Sequence, residues 1–185
     1  MNEPDDRRRR RFDALFAAYS SDIVAYCGWR AASASDAQDA VAEVFLTAWR
    51  RFDALPQGDD ARVWLYATAR RVLANQRRST RRREALRERL EREPAPSVAD
   101  PPDAEETLVR AALMQLGHLD REVLLLAEWE NLTPAEIAEV LGCLTVTARG
   151  RLHRARRRFR DAFEALHEAP AQNPVRCLEG EHQHV

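Results

Sequence analysis

Apolar side chains recur along this chain at intervals of three and four residues, and no stretch alternates apolar with polar as a half-buried strand does. Over residues 10–30 the series Phe12, Leu15, Phe16, Tyr19, Ile23 and Tyr26 falls on one face of a predicted helix. A second helix is predicted over 35–51, with Val41, Val44, Phe45 and Ala48 on one face, and Ser35 and Gln38 have capping-box spacing. A loop follows over 52–60, carrying Pro56 and Gly58, and a third helix runs from near residue 61 past 83. Its inward positions are Ala61, Leu65, Ala69 and Val72, whereas Arg70, Arg71, Arg77, Arg78 and Arg81 point outward.

The pattern breaks over 91–104, EREPAPSVADPPDA, where four prolines and no periodic apolar residues predict an extended linker. It separates an N-terminal domain within 1–90 from a C-terminal domain over 105–165. The C-terminal domain opens with helices near 105–116 and 120–130. Next, Thr133 serves as N-cap, Pro134 occupies the first helical position and Glu136 completes a capping box, with Leu132 and Ile137 spaced as a hydrophobic staple. That short helix ends at Leu141, where Gly142 suits the C-cap, and a last helix covers 145–163. Residues 166–185, with Pro170, Pro174 and Gly180, read as a loose tail. The fold class is therefore all-α: two small helical domains joined by a flexible linker.

The short helix, glycine turn and long basic helix form a helix-turn-helix, whose second helix is built to enter the major groove. Ala148, Leu152, Ala155 and Phe159 form its inner face, and Val146, Arg149, Gly150, His153, Arg154 and Arg157 its outer face. Donors on the outer face are what base-edge readout requires. A basic helix is more often only a solvated face, but here the capping box, the glycine turn and the basic run occur together and in order. The third helix carries a second basic stripe with Trp64 and Tyr66 near its start. Aromatics beside such a stripe suit stacking on unpaired bases, and core packing is an equal alternative for Trp64. On the second helix Asp36, Asp39 and Glu43 form an acidic side that repels DNA; it suits either the helix dipole or a basic protein partner.

Net charge is −1, but the charge is segregated. Residues 1–90 carry 18 basic and 13 acidic groups and 133–163 carry 7 and 3, whereas 91–132 carry 3 and 10 and 164–185 carry 1 and 4. Every one of these basic groups is arginine, which suits phosphate and guanine but is first of all a mark of GC-rich coding. Cys27, Cys143 and Cys177 are an odd, scattered set with no CxxC pair, consistent with free thiols in a reducing compartment. His167, Cys177, His182 and His184 match no zinc spacing, so no metal and no cofactor is expected. Five arginines at residues 7–11 precede no apolar run, which argues against a secretory signal, and no segment is apolar enough for a membrane span; the expectation is a cytoplasmic protein. The absence of a phosphate loop, nucleophile elbow or His–carboxylate motif leaves an enzyme the weakest reading.

Between residues 12 and 163 the chain resembles the extracytoplasmic-function (ECF) sigma factors of bacterial RNA polymerase. DAQDAVAEVFLTAWRRF (36–52) looks like the family's core-binding helix and WLYATARRVLANQRR (64–78) like its promoter-melting and downstream-element helix. LDREVLLLAEWENLTPAEIAEVLG (119–142) and RLHRARRRFR (151–160) look like its upstream-element domain. The resemblance implies a non-enzymatic factor that binds core polymerase through Asp36, Asp39 and Glu43, with Asp39 and Glu43 on the clamp helices of the largest subunit. It implies that Trp64, Arg70, Arg71, Asn75 and Arg78 serve the downstream promoter element, and that the loop over 52–60 holds a flipped base. Val146, Arg149, Gly150, His153, Arg154 and Arg157 would read the upstream element, while the preceding leucine-rich helices meet the flap of the second-largest subunit. An anti-sigma factor is a further partner that the resemblance allows. Ala42, Arg71, Asn75, Val146 and Gly150 depart from frequent family residues, which bears on the promoter sequence read and not on the class. The rival readings are a stand-alone helix-turn-helix regulator, which leaves 64–78 without a task, and an adaptor whose basic helices bind an acidic partner.

Overall fold

The computed structural model describes residues 3–87 and 104–168, with side chains described for 6–80 and 107–168. The expected linker up to residue 103, the side chain of Arg81 and the tail from 169 onward, with Cys177, His182 and His184, lie outside the described residues. The described residues form seven α-helices and no strand: α1 (Glu3–Gly28), α2 (Ala34–Arg50), α3 (Asp59–Arg87), α4 (Ala104–Gln115), α5 (His118–Glu128), α6 (Pro134–Leu141) and α7 (Thr145–Glu168).

In the N-terminal half α1, α2 and α3 pack against one another in all three pairs. Ile23, Tyr26, Val44, Phe45, Ala61, Leu65 and Ala69 fill the space between them. Val72 is only half-buried, and Phe16 is 46% exposed although its ring packs edge-on to Phe45. Helix α1 begins seven residues before its predicted start, at Glu3 rather than residue 10. Arginine is a good helix former, and Arg8 ties the early turns to α2 by donating to the Trp49 carbonyl at 2.8 Å and lying over the Trp49 ring. Helix α2 is capped by Ser33, not Ser35: its hydroxyl accepts from the Asp36 backbone N–H at 3.1 Å. Asp36 then sits at the third helical position, where the helix dipole favours its carboxylate and the Ser33 hydroxyl donates to it. The loop after α2 is less open than its composition suggests, because a short 3-10 turn over Phe52–Ala54 buries Phe52 and Leu55.

In the C-terminal half α4, α5 and α6 all pack on α7. Ala112 and Leu113 of α4, Leu116 just after it, Val123 to Leu126 of α5, and Ile137, Ala138 and Val140 of α6 surround Ala148, Leu152 and Ala155 of α7. The two halves also touch: α3 packs on α6, and buried polar side chains bridge the seam. Among the described residues no helix is long and apolar enough to cross a membrane.

Candidate nucleic-acid interface

The C-terminal site is built from the α6 cap outward. The Thr133 hydroxyl accepts from the Glu136 N–H, and the Glu136 carboxylate accepts from the Thr133 N–H at 2.7 Å, so two otherwise orphaned donors are satisfied reciprocally. The Thr133 contact and the nearby Arg62 hold the Glu136 carboxyl below its ordinary range against a smaller desolvation effect. At the other end Gly142 adopts φ 64° and ψ 45°, the left-handed region that glycine enters without a Cβ penalty. The Cys143 N–H then reaches back to the Ala138 carbonyl at 2.9 Å. These two caps fix where α7 starts and which face it presents.

Ala148, Leu152 and Ala155 are buried and Phe159 half-buried, so the inner face of α7 is the one expected. Arg149, His153, Arg154 and Arg157 are exposed, Val146 is 70% exposed and Gly150 lies half-buried beside them. The arginines of α7 divide by task. Arg156 pairs with Glu128 at 2.8 Å and Arg158 with the buried Asp120, which ties α7 to α5. Arg149, Arg154 and Arg157 form no ion pair among the described residues and leave their donors to solvent. Gly150 has room for a methyl group, with Arg154 Nη1 at 3.4 Å from an added Cβ. Internal packing therefore does not demand the glycine, which lies among the exposed residues of α7.

In the N-terminal half a cleft of about 530 Å³ opens between α2 and α3. Asp39 and Glu43 line one wall, and Trp64, Arg71, Asn75 and Gln76 the other. The structure thus sets the acidic residues beside three of the residues assigned to the downstream element. Arg78 is exposed and donates to the Asn75 side-chain oxygen at 2.6 Å, so these two act as a unit. Asp36 is set apart: half-buried, bonded to Ser33 at 2.8 Å and seated at the helix start. Trp64 is half-buried, contributing to both core and cleft, while Tyr66 is core, with its hydroxyl donating to Glu130 at 2.8 Å.

Two arginines expected to face outward do not. Arg70 is half-buried with its Nε enclosed, on the side of α3 turned toward Tyr26 and His118. Arg77 donates to the Arg30 carbonyl at 2.7 Å and contacts the His118 ring of the C-terminal half. The periodicity of α3 distinguishes an inner from an outer face, but contacts with the other half of the chain have no local period. The same applies to Arg30, Glu122 and Glu130, which no sequence motif marked and which form a buried cluster across the seam. The one available signal was a glutamate, Glu122, beside the apolar run Val123–Leu126 of a helix packed on its neighbours.

Comparison with known proteins agrees with this geometry. Residues 15–83 match the family model described as sigma-70 region 2, and 106–159 match that of sigma-70 region 4. The ECF RNA polymerase sigma factor SigL of Mycobacterium tuberculosis is 30% identical over 160 residues, covering 83% of this chain and 89% of that protein. SigG of the same organism is 31% identical over 181 residues, covering 83% of this chain, but the chain spans only 49% of its length. Among solved structures, the co-crystal of the sigma factor RpoE with the anti-sigma factor NepR from Bartonella quintana matches with a TM-score of 0.70, at 21% identity, over 84% of this chain and 98% of that one. The complex of CnrH with the cytosolic domain of CnrY matches with a TM-score of 0.61, at 22% identity, over 85% and 90%. With both sigma regions matched in order and a 30%-identical relative covered nearly end to end, the chain belongs to the ECF family of RNA polymerase sigma factors.

Proposed function

We propose that this chain binds core RNA polymerase, carries it to a set of promoters and assists DNA opening there, without catalysing a reaction itself. The observation that carries the reading is the pairing of two faces in one chain. One is an exposed, unpaired arginine face on a capped helix-turn-helix; the other is a cleft where Asp39 and Glu43 stand opposite Trp64, Arg71 and Asn75. An acidic wall is unsuited to phosphate and suited to a basic protein surface, which fits the clamp helices of the largest subunit. The opposite wall offers Arg71 and the Trp64 ring to unpaired DNA, and stacking on such an aromatic captures melted bases. In the upstream element Arg149 lies one turn into α7, where side chains reach base edges, with His153 and Arg154 beside it. Val146, exposed and apolar at the tip, suits a thymine methyl group. The leucine-rich α4–α5 pair remains the surface for the flap of the second-largest subunit. Run-off transcription with core polymerase on genomic DNA tests this. Discrete start sites that share two upstream sequence elements are expected, and none with core polymerase alone; transcription unchanged by the protein contradicts the proposal.

A further inference from the structure

Residues 7–11 are five successive arginines that lie before the stretch matched to sigma-70 region 2, and the reading above leaves them without a task. They divide by direction. Arg8 turns inward, donating to the Trp49 carbonyl at 2.8 Å and pairing with Asp53 at 3.8 Å; beside it Phe12 packs edge-on to Trp49 and Phe52. These contacts hold the start of α1 against the end of α2 and the 3-10 turn that opens the 52–60 loop. Further along α1, Tyr19 donates to the Gly58 carbonyl at 3.4 Å, so the helix lies along that loop. Arg7, Arg9, Arg10 and Arg11 are exposed, and among the described residues none of the four forms an ion pair. Spacings of three and four residues put Arg7, Arg10 and Arg11 on one helix face, with Arg9 turned away from it. The Arg11 guanidinium carbon lies 5.2 Å from the centroid of the Phe52 ring.

The geometry points to a phosphate track: Arg7, Arg10 and Arg11 hold the backbone of the unpaired promoter strand where it runs past the 52–60 loop. Continuity supports this first. Phe52, under Arg11, directly follows Arg50 and Arg51, both exposed, and Arg51 lines the α2–α3 cleft together with Trp64 and Arg71. A basic surface thus runs from the cleft, past the start of the loop and onto α1. Chemistry supports it next. Guanidinium groups make charge-assisted, often bidentate bonds to phosphate, and such bonds fix the position of a strand without reading its bases. A strand whose base is held in the loop needs that kind of support beside it, because an aromatic grips the base and leaves the neighbouring backbone free. The carboxylates of the loop do not cancel the field. Asp53 is met by Arg8, and Asp59 and Asp60 lie in the first turn of α3, where the helix dipole offsets them. An acidic protein surface would suit the same arginines, but their continuity with the cleft favours DNA.

This inference rests on the sigma-factor reading above. Its test uses the full chain bound to core polymerase, and a variant combining Arg7→Gln, Arg10→Gln and Arg11→Gln. Glutamine has the helix propensity of arginine, and Arg8 is left to hold α1 in place, so circular dichroism should show unchanged helix content. The probe is a forked promoter fragment built from a mapped start site, with one strand left unpaired. A second fork carries uncharged methylphosphonate linkages along that unpaired strand. Affinity for each fork is measured over a range of salt concentrations. Three phosphate contacts to a single strand contribute about 2 to the slope of log affinity against log salt. The variant should therefore bind the charged fork more weakly at low salt, with a slope shallower by about that amount, and should match the native protein on the neutral fork. Equal slopes on the charged fork overturn the track. A difference that persists on the neutral fork overturns it too, as does a variant that no longer co-purifies with core polymerase, since the arginines then serve paired DNA or a protein. A native protein that gives no start site from which to build the fork overturns the sigma-factor reading instead, so the two failures are distinguishable.

Discussion

Asp39 and Glu43 are exposed on a helix whose stability comes from Ala40, Val44, Phe45 and Ala48 on its other side. Reversing both to arginine should therefore change stability by no more than about 0.5 kcal/mol, the usual range for surface sites. Core-polymerase binding should be abolished, as a co-purification assay would show; a folded double variant that binds undiminished contradicts the assignment. On α7 the residues separate reading from holding. With α7 in the groove as proposed, Arg149, one turn into the helix, is placed to reach base edges, and Arg157 stands two turns further on. A bidentate base contact gives about 1–3 kcal/mol of discrimination, whereas a phosphate contact carries no sequence information. Arg149→Ala should relax preference at one or two upstream positions, and Arg157→Ala should weaken all sequences alike and reduce the salt dependence. Binding across an upstream-element library at two salt concentrations measures both; a uniform loss for Arg149→Ala contradicts the placement in the groove.

The decisive element is α6, because its caps set the angle at which α7 leaves the turn. Thr133→Ala should cost about 1 kcal/mol, the usual magnitude for a lost N-cap. Since Glu136 is held below the ordinary carboxyl range, the native capping box contributes stability above that range and loses it as pH falls through the lowered value. The difference in melting temperature between the native protein and Glu136→Ala should thus be widest near neutrality and shrink in acid; a difference that grows in acid contradicts this. Elements of this kind were legible in the sequence because their determinants are local. Thr133, Pro134, Glu136 and Gly142 act within one turn of themselves, and the α7 inner face follows a fixed period. Ser33 was missed in favour of Ser35 because two serines offer the same spacing, to Asp36 and to Gln38, and what distinguishes Ser33 is the pair of bonds its hydroxyl makes with the Asp36 N–H and carboxylate. Arg70 and Arg77 were misplaced for a different reason: what turns them inward is about forty or more residues away in the chain, at His118, Tyr26 and the Arg30 carbonyl.

Across the whole molecule, the segregation of charge takes on a structural meaning. The acidic stretch that includes α5 supplies Asp120 and Glu128 to α7 and Glu122 and Glu130 to the seam, so much of it is consumed internally. The basic surface that remains is modest and divided between two halves. Phosphate contacts of that number give weak, salt-sensitive binding that scarcely distinguishes one duplex from another. Specificity must then come from holding both halves on DNA at once, which a polymerase scaffold does by raising the effective concentration of the second contact. The most direct measurement is promoter binding by the free protein and by the protein with core polymerase, each at two salt concentrations. The free protein is expected to bind promoter and unrelated duplex alike, weakly and more weakly still at the higher salt, and the complex to bind the promoter tightly and selectively. Tight, sequence-selective binding by the free protein, unchanged when core polymerase is added, would contradict it and leave a stand-alone helix-turn-helix regulator.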